Sequence, residues 1–128
     1  MIQEANTKLS NEEIERYARH IILPEIGGVG QQKLKAARVL VIGAGGLGAP
    51  VLTYLAAAGV GTLGIVDNDI VSLSNLQRQV IHKTNTINQC KTDSAKATIN
   101  AINPHVTVEK HTLRLDKSNV GKLLNAYH

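Results

Sequence analysis

Residues 38–48 read RVLVIGAGGLG, and no other stretch of the chain constrains the fold as tightly. Arg38 to Ile42 is a β-branched apolar run closed by glycine, the pattern of a strand buried in a parallel sheet. The glycine cluster then opens directly into GAPVLTYLAAAG, a run of helix formers. Gly43, Gly45 and Gly48 fall on the spacing G-x-G-x-x-G, with Gly46 between them. In such a junction the first glycine makes the tight turn, the second lets backbone approach a phosphate, and the third lets helix pack on strand. A phosphate there would face the free N–H groups of a helix N-terminus, where the dipole favours anions. A second apolar run, Thr62 to Asp67, ends in an acid 19 residues after Gly48. An acid at that place accepts hydrogen bonds from ribose hydroxyls.

The flanking segments extend the pattern. Ser10 and Glu13 form a capping box, and Ile14, Tyr17, Ala18, Ile21 and Ile22 follow at helical spacing. This helix is expected to end near Pro24, before IGGVG read as a loop, with a short helix from Gln31 to Ala37 after it. Further on, a polar loop runs through Arg78, a helix covers Asp93–Ile102, His105–His111 alternates as a third strand, and Asp116 caps a last helix. The fold class expected is α/β: the first half of a Rossmann-like, doubly wound parallel sheet, preceded by N-terminal helices. Residues 1–37 are the helical segment and 38–128 the nucleotide-binding domain. Such sheets normally combine two mononucleotide halves. One half is visible here, so the free edge of the first strand is expected to stand open, a hazard for association.

Composition narrows the function. Hydrophobic residues make up 43% of 128, enough for a core, and the rings are three Tyr with no Phe or Trp. That argues against nucleic-acid platforms that stack bases on aromatics. The apolar stretch from Arg38 to Asp67 is interrupted by glycines and a proline, so no membrane span is expected. The N-terminus lacks the basic-then-apolar order of a signal peptide, which points to the cytoplasm. The net charge of +4 is spread without a run of like charges. The single cysteine, Cys90, excludes an intrachain disulfide and is read as a small, buried or half-buried residue. The five histidines show no metal spacing and receive no role.

The glycine loop and Asp67 fit a mononucleotide or a dinucleotide equally. What separates the two is the segment Asp67-Asn68-Asp69, then Ser74-Asn75-Leu76-Gln77-Arg78, then Lys91. A pyrophosphate rests on a helix N-terminus unaided, whereas a triphosphate that must release pyrophosphate needs cations as well. Arg78 and Lys91 meet that need, although any single Arg or Lys is more often a solvated surface charge. An NAD-dependent oxidoreductase domain and a non-catalytic interaction module stand as alternatives.

Taken together, RYARHIIL (16–23), GAGGLG, AAAGVG, DND, SNLQRQ, KTDSA and INPH resemble the MoeB/ThiF/HesA family, bacterial relatives of the ubiquitin-activating enzymes. The resemblance covers roughly residues 12–115. It implies ATP-dependent adenylation of the C-terminal glycine of a ubiquitin-like sulfur-carrier protein, in molybdopterin or thiamine biosynthesis. By the same resemblance Gly46 contacts the nucleotide phosphates and Asp67 holds the ribose. Asn75, Arg78 and Lys91 face the triphosphate, while Arg19 reaches as an arginine finger into the site of a second copy, making a homodimer part of the machinery. Asp69 is a candidate beside magnesium, whose family ligand sits on an acidic motif further along the family's chain than residue 128.

Overall fold

The computed structural model describes residues 8–128. Three strands, β1 (Arg38–Ile42), β2 (Thr62–Val66) and β3 (Thr107–His111), form one sheet in the order β1-β2-β3. Both pairings are parallel, with Arg38 opposite Thr62 and Thr62 opposite Thr107. Helices α1 (Asn11–Arg16), α2 (Ala18–Ile21) and α3 (Gly27–Ala36) precede the sheet. Helix α4 (Gly48–Ala58) connects β1 to β2, α5 (Lys91–Ile102) connects β2 to β3, and α6 (Val120–Leu124) follows. Parallel strands joined by helical crossovers are the expected α/β arrangement.

One sheet face is apolar. Val39, Val41, Leu63, Ile65 and Val108 pack with Leu52 and Ala56 of α4 and with Ala95 and Ile99 of α5. The opposite face mixes Leu40, Ile42 and Val66 with Arg38, Glu109 and His111, and the last residues of the chain pack against part of it. There Tyr127 donates to Glu109 (2.7 Å), Arg38 pairs with Glu109 (2.8 Å), and His111 Nε2 donates to the Tyr127 oxygen (2.8 Å). Burial and the neighbouring Glu109 raise the pKa of the Tyr127 phenol above its usual value.

Five local expectations are corrected. IGGVG is not a loop: α3 begins at Gly27, four residues before the expected start, and ends at Ala36. Its glycines are poor helix formers, and tertiary contact overrides that preference. Gln31 is fully buried and donates to Ala58 O (2.9 Å) while His20 bonds its carbonyl (3.0 Å), and Leu34 joins the core. The first helix breaks at Tyr17, whose hydroxyl is held by Asn103 (2.7 Å). Asp116 does not cap α6, whose N-cap is Asn119; its carboxylate accepts instead from the Ser118 N–H (2.8 Å) in the preceding turn. The third strand starts at Thr107 rather than His105, and α5 starts at Lys91 rather than Asp93.

The edge of β1 is open only in part. Arg38 N donates to His128 Nδ1 (3.0 Å) and His128 N donates to Arg38 O (2.9 Å), so the terminal residue covers the strand's first position.

Candidate functional site

The C-terminal ends of the strands gather the residues singled out above, Arg19 excepted. Gly43 N bonds Val66 O (2.7 Å), carrying the ladder one residue past β1, and the chain then turns at Gly43 with φ +93°. A side chain at Gly48 would collide with the Gly43 carbonyl, so this glycine is required for α4 to start so close to β1. Gly45 and Gly46 have no such requirement. The nearest atoms to a Cβ there would be Gln79 Nε2 at 3.5 Å and Arg78 Nε at 4.0 Å, both side chains, and neither glycine has a positive φ. The fold needs Gly43 and Gly48; the space over Gly45 and Gly46 is room for something else. The N–H groups of Gly45, Gly46, Leu47 and Gly48 have no protein acceptor among the described residues.

Asp67 closes the loop from the next strand. Its Oδ2 accepts from Ala44 N (2.8 Å) and its Oδ1 from Asp69 N (2.8 Å), which leaves the outer lone pairs free. Asp67, Asn68 and Asp69 line an open cleft of about 290 Å³ with Ile42, Gly43 and Val66. Leu113, Arg114 and Leu115 complete that cleft, and sequence reasoning did not select them. Their signal was position alone: they follow β3 at the strand ends where open α/β sheets bind ligands.

Lys91 departs furthest from a solvated charge. It is only 7% exposed, and its Nζ has one anionic neighbour, Asp69 Oδ2 at 4.0 Å, beyond hydrogen-bond reach. Its stem is buried while the ammonium, with its one carboxylate at 4.0 Å, stays available to a bound anion. Its backbone is fixed at the first turn of α5, where Lys91 N donates to Asp69 O (3.0 Å). Asp69, by contrast, is largely exposed.

In the segment after β2 a 3-10 turn spans Leu73–Asn75. Asn75 Oδ1 accepts from the N–H and hydroxyl of Ser72 (2.9 and 3.0 Å), which orients its amide nitrogen outward. Ser74 accepts from Arg78 Nη1 through its carbonyl (3.4 Å), leaving the guanidinium over the glycine loop. Gln77 is exposed and Leu76 half-buried. Gln79, which sequence reasoning left without a role, is buried against Gly45 with its Oε1 unpartnered.

Arg19 is not brought to this cluster. It lies exposed on α2, next to His20, whose contact through Gln31 leads to the C-terminal end of α4. The glycine loop is at the other end of that helix, about 16 Å away at 1.5 Å per residue. Cys90 is half-buried and makes an isolated bridge with Ile70. No described helix is long and apolar enough to cross a membrane, and no group of three or more His, Cys, Asp or Glu could hold a metal among the described residues.

The ThiF family model matches residues 17–128. The chain belongs to the ThiF family. The probable adenylyltransferase/sulfurtransferase MoeZ of Mycobacterium tuberculosis is 58% identical over 124 residues, 97% of this chain and 32% of that protein. The adenylyltransferase and sulfurtransferase UBA4 of Saccharomyces cerevisiae is 52% identical over 121 residues, 94% of this chain and 28% of its own length. This ThiF-family chain therefore spans about a third of the curated relatives it matches. Among solved structures, the Escherichia coli tRNA N6-threonylcarbamoyladenosine dehydratase TcdA in complex with ATP superposes with a TM-score of 0.87 at 25% identity, covering 94% of this chain and 49% of that one. The Rossmann-type fold expected from the glycine junction is that of the family.

Proposed function

We propose that this chain is the ATP-binding part of an adenylyltransferase that activates the C-terminal glycine of a ubiquitin-like sulfur-carrier protein. Residues 38–128 are its nucleotide-binding domain and residues 1–37 the segment before it, whose described part carries helices α1 to α3. The observation that carries this reading is Lys91, a side chain mostly buried along its stem whose Nζ has no protein partner closer than Asp69 Oδ2 at 4.0 Å. A diphosphate on a helix N-terminus would not need it.

In this assignment the N–H groups of Gly45 to Gly48 receive the phosphates, with Gly43 and Gly48 shaping the turn. Asp67 holds the ribose from the cleft wall. Arg78, Lys91 and the outward amide of Asn75 face the β- and γ-phosphates, while Ser74, Leu76 and Gln77 shape the segment that presents them. The carrier's carboxylate oxygen attacks the α-phosphorus and the bond to the β-phosphate breaks. Pyrophosphate leaves with the electron pair, giving an acyl-adenylate. Cations that meet charge as it builds on the leaving group lower the barrier rather than merely tightening binding.

Arg19 fits this scheme only from a second copy, because its own α4 separates it from its own glycine loop. Leu47, Val51 and Tyr54, spaced on one side of α4, are exposed, as is Leu73 of the 3-10 turn. That is an apolar surface a homodimer would cover. Magnesium fits the described residues poorly: Asp69 is the carboxylate beside Lys91, and both Asp67 oxygens already accept backbone N–H groups. No step is assigned to the metal. An NAD-dependent oxidoreductase would leave Lys91 and Arg78 without work.

Labelled pyrophosphate exchange into ATP, run with a glycine-terminated carrier protein, tests the reading. Exchange that requires the carrier's terminal carboxylate is expected. Exchange unaffected by removing that carboxylate would contradict it.

A further inference from the structure

A buried imidazole lies beneath the glycine loop. His82 is 4% exposed; its Nε2 is 2.7 Å from Ala44 O and its Nδ1 2.7 Å from Ser94 Oγ. Ser94 Oγ is 2.9 Å from Thr86 Oγ1, which in turn is 2.8 Å from Lys83 O. Ser94 and Thr86 are buried as well. A carbonyl oxygen only accepts, so the proton between His82 and Ala44 belongs to Nε2. On its other side Ala44 donates its own N–H to Asp67 Oδ2 (2.8 Å). Ala44 is fully buried, gripped at both its N–H and its C=O, immediately before the open N–H groups of Gly45 to Gly48.

The geometry points to His82 as a positioning residue that holds the glycine loop in its anion-receiving form by donating Nε2–H to Ala44 O. This role rests on the nucleotide reading of the loop. An apolar side chain of similar size would fill the space but leave the Ala44 carbonyl and the Ser94 hydroxyl without their partner.

The hydroxyl chain behind the ring makes the clamp independent of its charge. With Nδ1 bare, the Ser94 hydroxyl turns its proton to Nδ1, while Thr86 keeps its donation to Lys83 O. With Nδ1 protonated, Nδ1–H donates to Ser94, Ser94 to Thr86 (2.9 Å) and Thr86 to Lys83 O (2.8 Å). The Ala44 bond is the same in both arrangements. Burial, joined by the Lys91 cation from α5, lowers the imidazole's pKa, while the Ala44 carbonyl and the Asp67 carboxylate at the end of β2 oppose that shift. The neutral ring with its proton on Nε2 is therefore the form near neutral pH.

The test uses the full chain, with nitrogen-detected NMR of the imidazole, amide exchange, and calorimetric titration with ATP. The wild-type ring is expected as the Nε2–H tautomer without any nucleotide present. His82→Leu should shift the amides of Ala44 to Leu47, speed exchange of the Ala44 N–H and weaken ATP binding at least tenfold, while β2 amides stay protected. His82→Gln, whose side-chain N–H reaches about the place of Nε2, should restore most of both effects. An Nδ1–H tautomer would overturn the role, a result that needs no variant to fold. So would a His82→Leu chain with unchanged loop amides, or a His82→Gln chain no better than it. ATP binding that fails in the wild type while the loop amides respond as expected overturns the nucleotide reading and with it the purpose of the clamp. Loop amides that ignore the substitution while ATP still binds overturn the clamp alone.

Discussion

Lys91 and Arg78 look alike in sequence, and the chain places them in opposite environments. Arg78 is exposed over Gly46, whereas the Lys91 side chain is mostly buried, with its one carboxylate neighbour at 4.0 Å. Nothing in a local window announces the difference, because Lys91 is covered by contacts from elsewhere in the chain. The two should therefore respond differently to removal. Lys91→Met keeps the buried stem and removes a charge with no close protein partner, so the thermal midpoint should change little, while ATP affinity falls at least tenfold, about 1.4 kcal/mol. A destabilised Lys91→Met chain with undiminished ATP affinity would show that the ammonium serves the fold. Arg78→Ala should cost a comparable loss in affinity with no change in stability. His82 adds a pH dependence. Its pKa in the folded chain lies below the ordinary 6.5, chiefly through burial, so as pH falls the unfolded chain takes up its proton first. The stability linked to this residue is full above that value and is lost as pH falls below it toward the lower folded pKa. Urea midpoints measured from about pH 7 to about pH 5 should decline, and His82→Gln should flatten part of the decline.

At the scale of elements the same motif divides into glycines the fold needs and glycines it does not. Gly48→Ala drives a Cβ into the Gly43 carbonyl and should cost about 3 kcal/mol or more. Gly46→Ala meets nothing nearer than Arg78 Nε at 4.0 Å, so it should fold with near-normal stability and bind ATP more weakly. Denaturation and calorimetry on the two variants separate these expectations, and an equally unstable Gly46→Ala would remove the argument that its space is kept for a ligand. The strand-loop-helix junction was legible because its signals are local: β-branched residues, glycine spacing and an acid at the next strand's end. Helix α3 was not, because Gly27, Gly28 and Gly30 read as a loop, and the residues that make it helical act at a distance. Gln31 is fixed by His20 and Ala58, and Leu34 by the core. The same holds for His82, whose partner Ala44 lies 38 positions away. A histidine with no metal spacing carries no sequence mark of a contact of that kind.

The whole molecule presents two surfaces that matter beyond one copy. The β1 edge is covered at Arg38 by His128, and α4 exposes Leu47, Val51 and Tyr54 along one side. Arg19 lies about a helix length from its own glycine loop, so the role proposed for it requires a second copy. Sedimentation at micromolar concentration should accordingly show association. A clean monomer would remove the trans role of Arg19 and leave Arg78 and Lys91 as the cations of the site. The central claim, a half-sheet that selects a triphosphate, is tested most directly by calorimetric titration of the 128-residue chain with Mg-ATP, with NAD in parallel. Saturable binding of ATP with NAD silent is the expected result. NAD binding without ATP would return the glycine loop to a dinucleotide and leave Lys91 with no anion to meet.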